Sequence, residues 1–193
     1  MKLLRAATLL FVAFFISACG YGTPDQFASD NAIKKYAYVS NEAPSLTLLT
    51  MINNRTGRGG HSSLLINGSQ VVMYDPAGRW KNPKAPERHD VVYGLTPQLM
   101  QRYKSFHARS THHVVLQKVP VSLEVANQAI AASIAQGRAK DATCSINTVA
   151  ILNQLPGFEG VKSTYFPEKL MKRFAELDGV VTTSYYENDV GKN

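Results

Sequence analysis

The chain has 193 residues and a mass of 21.2 kDa, which is enough for one domain with a hydrophobic core but not comfortably for two. Its formal net charge is +7, but the basic residues are spread along the chain and form no stripe with interleaved aromatic residues. This distribution argues against a nucleic-acid-binding protein and suits mild attraction to anionic lipid headgroups or acidic cell-wall polymer.

The N-terminus has the layout of a secretory signal peptide. Lys2 and Arg5 precede an apolar run at residues 6–16, which is too short to span a bilayer comfortably. The Ile-Ser-Ala-Cys sequence at residues 16–19 resembles the lipobox of bacterial lipoproteins, in which cleavage before the cysteine leaves that residue carrying lipid. Gly20 in place of Asp is similar to the outer-membrane-directed class of Gram-negative lipoproteins. The alternatives are a plain signal peptide cut elsewhere and an uncleaved anchor.

The lipobox divides the chain into a signal peptide at 1–18, a lipidated Cys19 with a polar tether at 19–44, and a domain at 45–193. Removal of the two basic residues in the signal leaves a net charge of +5. The resemblance implies a cell-envelope protein, attached through the lipid on Cys19 to the outer membrane and facing the periplasm. Lipidation would leave Cys144 as the one thiol of the mature chain, and a Cys19–Cys144 disulfide requires that no lipid is attached.

A β-hairpin is predicted early in the domain. Strand-forming residues at 46–52 and a glycine-rich loop at 53–60 precede two apolar runs, 61–66 and 70–75, which an Asn-Gly-Ser sequence joins. With a three-residue loop, Ile66 faces Gln70 and His61 lies directly opposite Asp75. With a two-residue turn, Ile66 pairs with Ser69 and His61 faces Tyr74 instead.

After the hairpin, two further strands and a helix are predicted, followed by three consecutive helices and a last strand. Early strands followed by helices predict an α+β fold. In chain order these elements are a strand at 89–94, a helix from 96 to about 108, a strand at 112–119, a helix at 122–136 capped by Ser122 and stopped by Gly137, a helix from Cys144 to about Leu155, a helix at 166–177 and an edge strand at 180–186.

Cys144 is predicted at or next to the first residue of its helix, because Val149 and Leu152 follow at helical spacing. Thr143 or Asp141 can supply the N-cap oxygen. A thiol at this place meets unpaired amide hydrogens and the positive end of the helix dipole, and both favour the thiolate. The alternative is a small buried residue that only packs in the helix.

A cysteine nucleophile needs a base, and the base needs a third group that orients it. Among the five histidines, His61 is distinctive because it follows two glycines, begins a strand and precedes two serines that leave room for another element. Its alternative role is a strand-end residue bonded to backbone. His107 is predicted on a helix surface, and His89, His112 and His113, at strand starts, favour solvated or structural roles.

These motifs resemble the circularly permuted NlpC-type papain-like cysteine hydrolases, whose fold lecithin:retinol acyltransferase-type enzymes share. The resemblance covers about residues 46–177 and rests on Gly60-His61-Ser62-Ser63, on the following strand that ends in Asp75, and on Ala142-Thr143-Cys144-Ser145 opening a helix. It implies a papain-like α+β fold, with a small antiparallel sheet packed against the cysteine helix. Glu168 after Phe166-Pro167 also resembles the proline-led helix that follows the cysteine helix in this group.

The resemblance implies that Cys144 is the nucleophile, His61 the base and Asp75 the orienting group, with Tyr74 and His89 as alternatives to Asp75. The implied activity is that of a membrane-anchored cysteine hydrolase or acyltransferase, which cleaves an amide or ester of cell-wall peptide or lipid through a thioester. The alternative is a non-catalytic envelope lipoprotein that uses the same fold as a binding module. No cofactor or metal is expected, because the sequence contains no Cys pair and no His-Glu-x-x-His motif, and adjacent strand residues such as 112 and 113 point to opposite faces.

Overall fold

The computed structural model describes residues 27–187, so the expected signal peptide and Cys19 lie outside the described residues. The described part is an α+β fold with a seven-stranded antiparallel sheet and five helices. None of these helices has the length and apolar character needed to cross a membrane. The predicted α+β class is therefore confirmed, and the sheet is larger than the small one expected.

The seven strands are β1 (Ser45–Asn53), β2 (Gly59–Asn67), β3 (Val71–Tyr74), β4 (Glu87–Arg88), β5 (Val91–Tyr93), β6 (His112–Pro120) and β7 (Val181–Tyr185). Their order in the sheet is β4-β5-β3-β2-β1-β6-β7, and every neighbouring pair is antiparallel. β1 lies between β2 and β6 in the interior of the sheet and is buried on both faces, whereas β7 is the exposed edge strand that the sequence predicts.

The five helices are α1 (Asp30–Tyr36), α2 (Pro97–His107), α3 (Leu123–Gln136), α4 (Cys144–Leu152) and α5 (Pro167–Ala175). The predicted starts of α2 and α3 are confirmed, because Thr96 and Ser122 cap them through their side-chain oxygens. Gly137 ends α3 with a φ of 68°, a backbone conformation that glycine adopts without strain.

Alternation along the strands divides the hydrophobic core into two layers. One face of the sheet buries residues such as Leu48 and Leu64 under α3, α4 and α5. The other face buries residues such as Leu49 and Met73 under α2. Each fully buried side chain of this kind stabilises the fold by about 1.5–3 kcal/mol relative to an exposed one. Cys144, at the start of α4, therefore approaches the sheet from one side while α2 covers the other.

The hairpin register differs from both predicted registers. β2 continues to Asn67, which pairs with Val71, and Ile66 consequently faces Val72. The Asn67 side chain donates hydrogen bonds to the carbonyl oxygens of residues 42 and 43, which holds this residue in the strand instead of in the turn. The observed register is shifted by two positions from the one expected for a three-residue loop.

The two-residue shift leaves every side chain of the hairpin on its predicted face, because side chains alternate between faces with a period of two. Continuing the observed register places Asp75 opposite Ser63. His61 lies on the same face, two residues before Ser63. His61 and Asp75 are thus diagonal neighbours rather than direct cross-strand partners, a spacing that long side chains can bridge.

Part of the segment expected to be a tether folds against the sheet. The carbonyl oxygen of Ala28 accepts a hydrogen bond from Arg88 Nε at 2.8 Å, and Asp30 forms an ion pair with Arg88 at 2.7 Å. The Tyr38 carbonyl oxygen accepts a hydrogen bond from the amide of Val71 at 2.8 Å. Residues 27–44 are therefore attached to the folded unit along β3, β4 and β5.

Gly94→Ala is expected to loosen this attachment. A Cβ at Gly94 would lie 2.3 Å from the carbonyl oxygen of Tyr36, and the φ of Gly94 is +73°. Gly57→Ala is a matched control, because Gly57 has a φ of +66° and open space around it. In urea denaturation we expect Gly57→Ala to lower the free energy of unfolding by about 1 kcal/mol and Gly94→Ala by about 2–4 kcal/mol. Equal losses would show that Tyr36 does not pack there.

Candidate active site

His61 lies where β2 extends beyond its hairpin partner. β3 pairs with β2 only as far as Leu64, so β3 leaves the edge of β2 around His61 uncovered. The pairing of β2 with β1 is irregular at Gly60, immediately before His61. Bulges of this kind redirect neighbouring side chains at the ends of sheets. The His61 side chain is 18% exposed, so solvent reaches part of the ring.

Helix α5 packs directly behind the histidine strand. A Cβ at Gly59 would lie 2.6 Å from both the amide nitrogen of Glu168 and the Cβ of Pro167. The Gly59 amide donates a hydrogen bond of 3.0 Å to Glu168 Oε2. Only glycine allows this close approach, which explains one of the two glycines that precede His61.

Asp75 follows the last residue of β3 and is almost completely buried. Its amide donates to the carbonyl oxygen of Asp90, which anchors the backbone at this point. Its Oδ1 accepts two hydrogen bonds, one of 2.7 Å from His61 Nε2 and one of 2.8 Å from the Tyr103 hydroxyl. The predicted orienting group therefore contacts the predicted base, although the register that suggested this contact was wrong.

Cys144 is the first residue of α4, as predicted, but the predicted N-cap is wrong. Thr143 occupies the cap position without making a side-chain cap bond. Its hydroxyl instead donates to the Lys140 carbonyl oxygen at 2.6 Å and accepts from Asn147 Nδ2 at 2.7 Å. Asp141 is exposed and supplies no cap either. The amides of the first turn thus lack a side-chain cap and remain directed at the cysteine end of the helix.

Cys144 is buried, and its thiol interacts electrostatically with His61 so that each group shifts the pKa of the other. Because Asp75 engages His61 Nε2, Nδ1 is the ring nitrogen left for the thiol. The side chain and the backbone of Ser62 also lower the pKa of Cys144. Ser145 lies beside both groups, with its hydroxyl 3.9 Å from the Cys144 sulfur and 3.2 Å from the Ser62 hydroxyl.

The charge of Cys144, His61 or Asp75 changes the pKa of its neighbours in the site. Burial raises the pKa of Cys144, but the hydrogen bond and positive charge of His61 outweigh burial and lower it to about 7. Burial lowers the pKa of His61, and the hydrogen bonds with Asp75 and Cys144 reverse this effect and raise it to about 10. Burial also raises the pKa of Asp75, but the bond from His61 and its charge bring it below the usual value. The arrangement favours a thiolate, an imidazolium and a carboxylate together at neutral pH.

His107 was predicted on the helix surface, and this prediction is wrong. It is half-buried, and its ring stacks on that of His61 with the centroids 5.9 Å apart. Its Nδ1 donates to the Tyr103 carbonyl oxygen at 3.0 Å, and burial lowers its pKa. His107 and Tyr103 are four residues apart and share one helix face, a spacing visible in the sequence, but no local pattern indicates that this face meets Asp75.

The two alternatives to Asp75 lie away from the thiol. Tyr74 points to the opposite face of the sheet, where its hydroxyl donates to the Gly137 carbonyl oxygen at 3.0 Å. His89 is exposed, and its ring contacts that of Phe27 with the centroids 4.1 Å apart. Of the three candidates for the third position, the structure brings Asp75 to His61.

Gly78 fits closely against the carboxyl group of Asp75. A Cβ at Gly78 would lie 1.9 Å from Asp75 Oδ2, and the Gly78 amide donates to the Asp75 carbonyl oxygen at 2.9 Å. Gly78 also lines a cleft of about 810 Å³ that includes Arg79 and Asp141. This cleft borders the site through Gly78 and Asp141, whereas Cys144 and His61 are not among its lining residues.

Within residues 27–187, no group of three or more His, Cys, Asp or Glu side chains is placed to hold a metal ion. No protein-family model, curated protein or solved structure matches this chain.

Proposed function

We propose that this protein is a membrane-anchored cysteine hydrolase or acyltransferase of the circularly permuted NlpC-type papain-like group. The observation that carries the proposal is that the His61 ring donates to Asp75 at 2.7 Å and lowers the pKa of the buried Cys144 thiol. Two further features support the papain-like assignment. The histidine strand precedes the cysteine helix in the chain, and that helix packs against an antiparallel sheet.

In the proposed reaction, the Cys144 thiolate attacks the carbonyl carbon of an amide or ester and forms a carbon–sulfur bond. The amide hydrogen of Cys144, at the uncapped start of α4, is placed to stabilise the oxyanion that develops on the carbonyl oxygen. The His61 imidazolium then donates its Nδ1 proton to the leaving amine or alcohol as the carbon–nitrogen or carbon–oxygen bond breaks. The product of this half-reaction is a thioester on Cys144.

In the second half-reaction, the now neutral His61 accepts a proton from water as the water oxygen attacks the thioester carbonyl. The carboxylic acid leaves, and the thiolate and imidazolium are restored. An amine or alcohol in place of water would give acyl transfer. Asp75 keeps the Nε2 proton of His61 in place throughout, which leaves Nδ1 as the nitrogen that exchanges protons.

The proposed substrates are cell-wall peptide amides and lipid esters or amides. Charges of both signs around the cleft, such as Arg79 and Asp141, favour a polar peptide over an acyl chain in that space. The cleft also includes Phe27, which is eight residues after Cys19. Eight extended residues span at most about 29 Å, so a lipid on Cys19 would hold the cleft close to the proposed outer membrane.

The proposal is tested by comparing hydrolysis of peptidoglycan fragments with hydrolysis of short acyl esters. We expect turnover of at least one class, with activity rising through a pKa near 7 as Cys144 ionises and falling near 10 as His61 loses its proton. Cys144→Ser is expected to abolish this turnover. If neither substrate class is cleaved, although Cys144 reacts with small thiol reagents, the binding-module alternative is favoured.

A further inference from the structure

Tyr103 reaches the candidate site from α2, on the face of the sheet opposite the body of α4. Its side chain is fully buried, and its hydroxyl lies 2.8 Å from Asp75 Oδ1 and 3.0 Å from Ser63 Oγ. A carboxylate can only accept hydrogen bonds, so the single phenolic proton is directed to Asp75. The Ser63 hydroxyl then donates to the phenolic oxygen, and both groups are satisfied.

The Tyr103 ring has little freedom to move. The indole of Trp80 packs edge-on against it with the centroids 5.4 Å apart, and the His107 ring lies 4.4 Å away. A hydroxyl on so fixed a ring is a directional donor. It defines where a carboxylate oxygen must lie to accept its proton.

We infer that Tyr103 is a positioning residue, whose hydroxyl, itself held by Ser63, fixes the Asp75 carboxylate in the orientation that accepts the Nε2 proton of His61. The inference rests on the proposed function of the Cys144, His61 and Asp75 series. Gly78 completes the enclosure, because it leaves no space beside Asp75 Oδ2. The carboxylate is therefore confined on one side by backbone and on the other by two donors that share Oδ1.

The hydrogen bond from Tyr103 also favours the ionised form of Asp75. It is among the contacts that lower the pKa of this carboxyl against the opposing effect of burial. Without this donor, a buried carboxyl keeps its proton to higher pH. A protonated Asp75 no longer supports the His61 imidazolium, and the thiolate of Cys144 loses its counter-charge.

The test is Tyr103→Phe, which removes one oxygen atom and keeps the ring. The measurement is the rate of Cys144 alkylation by iodoacetamide between pH 5 and pH 9, with the fold checked by circular dichroism. We expect a rate close to wild type at pH 9 and a loss of about 10-fold at pH 5, the factor associated with one hydrogen bond to a charged group. Tyr93→Phe is the matched control, because it removes a hydroxyl from another buried tyrosine and should leave the pH profile unchanged.

Ser63→Ala provides a second variant, for which we expect a smaller loss, about 3-fold, in the same low-pH range. In an Asp75→Asn background, Tyr103→Phe should have no further effect, because the carboxylate through which it acts is absent. A loss that is equal at all pH values, or no loss in either variant, would overturn the positioning role. If wild-type Cys144 itself titrates as an ordinary thiol, the proposed function fails instead, so the two failures are distinguishable.

Discussion

Replacing His61 with alanine is expected to slow alkylation of Cys144 at pH 7 by at least about 15-fold. A thiol with a pKa of about 7 is half ionised at this pH, whereas a thiol with the ordinary value of about 8.5 is only about 3% ionised. Burial alone raises the pKa of Cys144, so removal of the opposing imidazolium should carry it at least that far. Turnover of any substrate should fall by about 10²–10⁴-fold, the range for loss of a positioned acid–base group.

His113→Ala is the control for this experiment. His113 bonds to Asn54 at 2.7 Å and stacks on Tyr186, on a different part of the sheet. Its replacement removes a histidine without removing a contact to Cys144, and the alkylation rate should not change. If His61→Ala keeps the wild-type alkylation rate at pH 7, the thiolate does not depend on His61, and the proposed pairing of Cys144 with His61 is wrong.

Gly78→Ala is expected to reduce turnover by about 100-fold, although residue 78 has no reacting atoms. The three atoms closest to the added Cβ would all belong to the Asp75 carboxyl group, at 1.9, 2.3 and 2.8 Å. The carboxyl group must move, and displacement of a catalytic group by about 1 Å can cause a loss of that size. The measurement is the turnover number on whichever substrate class the wild type cleaves.

A double-mutant cycle shows whether Gly78→Ala acts through Asp75. In an Asp75→Ala background the crowded atoms are absent, so Gly78→Ala should add little further loss. Gly160→Ala is a matched control, because Gly160 has open space around it and should tolerate the same substitution. Full additivity of Gly78→Ala and Asp75→Ala would contradict the steric explanation.

Local sequence patterns were sufficient for most elements of the domain and for the face of the hairpin, but they missed α1, β4 and the hairpin register. The Asn-Gly pair predicted a turn correctly. Its position depends on hydrogen bonds from Asn67 to the backbone of residues 42 and 43, about 25 residues away in the chain. The contact between His61 and Asp75 survives because the resulting shift is an even number of residues.

The site could be predicted where one helix or strand determines it. Helical spacing placed Cys144 at the start of α4, and this is confirmed. The N-cap prediction failed for a local reason, because the Thr143 hydroxyl donates to the Lys140 carbonyl oxygen and accepts from Asn147 instead of capping the helix amides. The contact between Tyr103 and Asp75 depends instead on which face of the sheet α2 covers. The periodicity within α2 does not predict that face.

The pH dependence of Cys144 alkylation tests the central claim most directly, because it reports the thiolate without a known substrate. Cys144→Ser serves as the blank for any reaction elsewhere in the chain. The proposed thiolate–imidazolium pair predicts a rate that rises through a single midpoint near pH 7. A midpoint at about 8.5 or above, the value of an unassisted thiol, would contradict it.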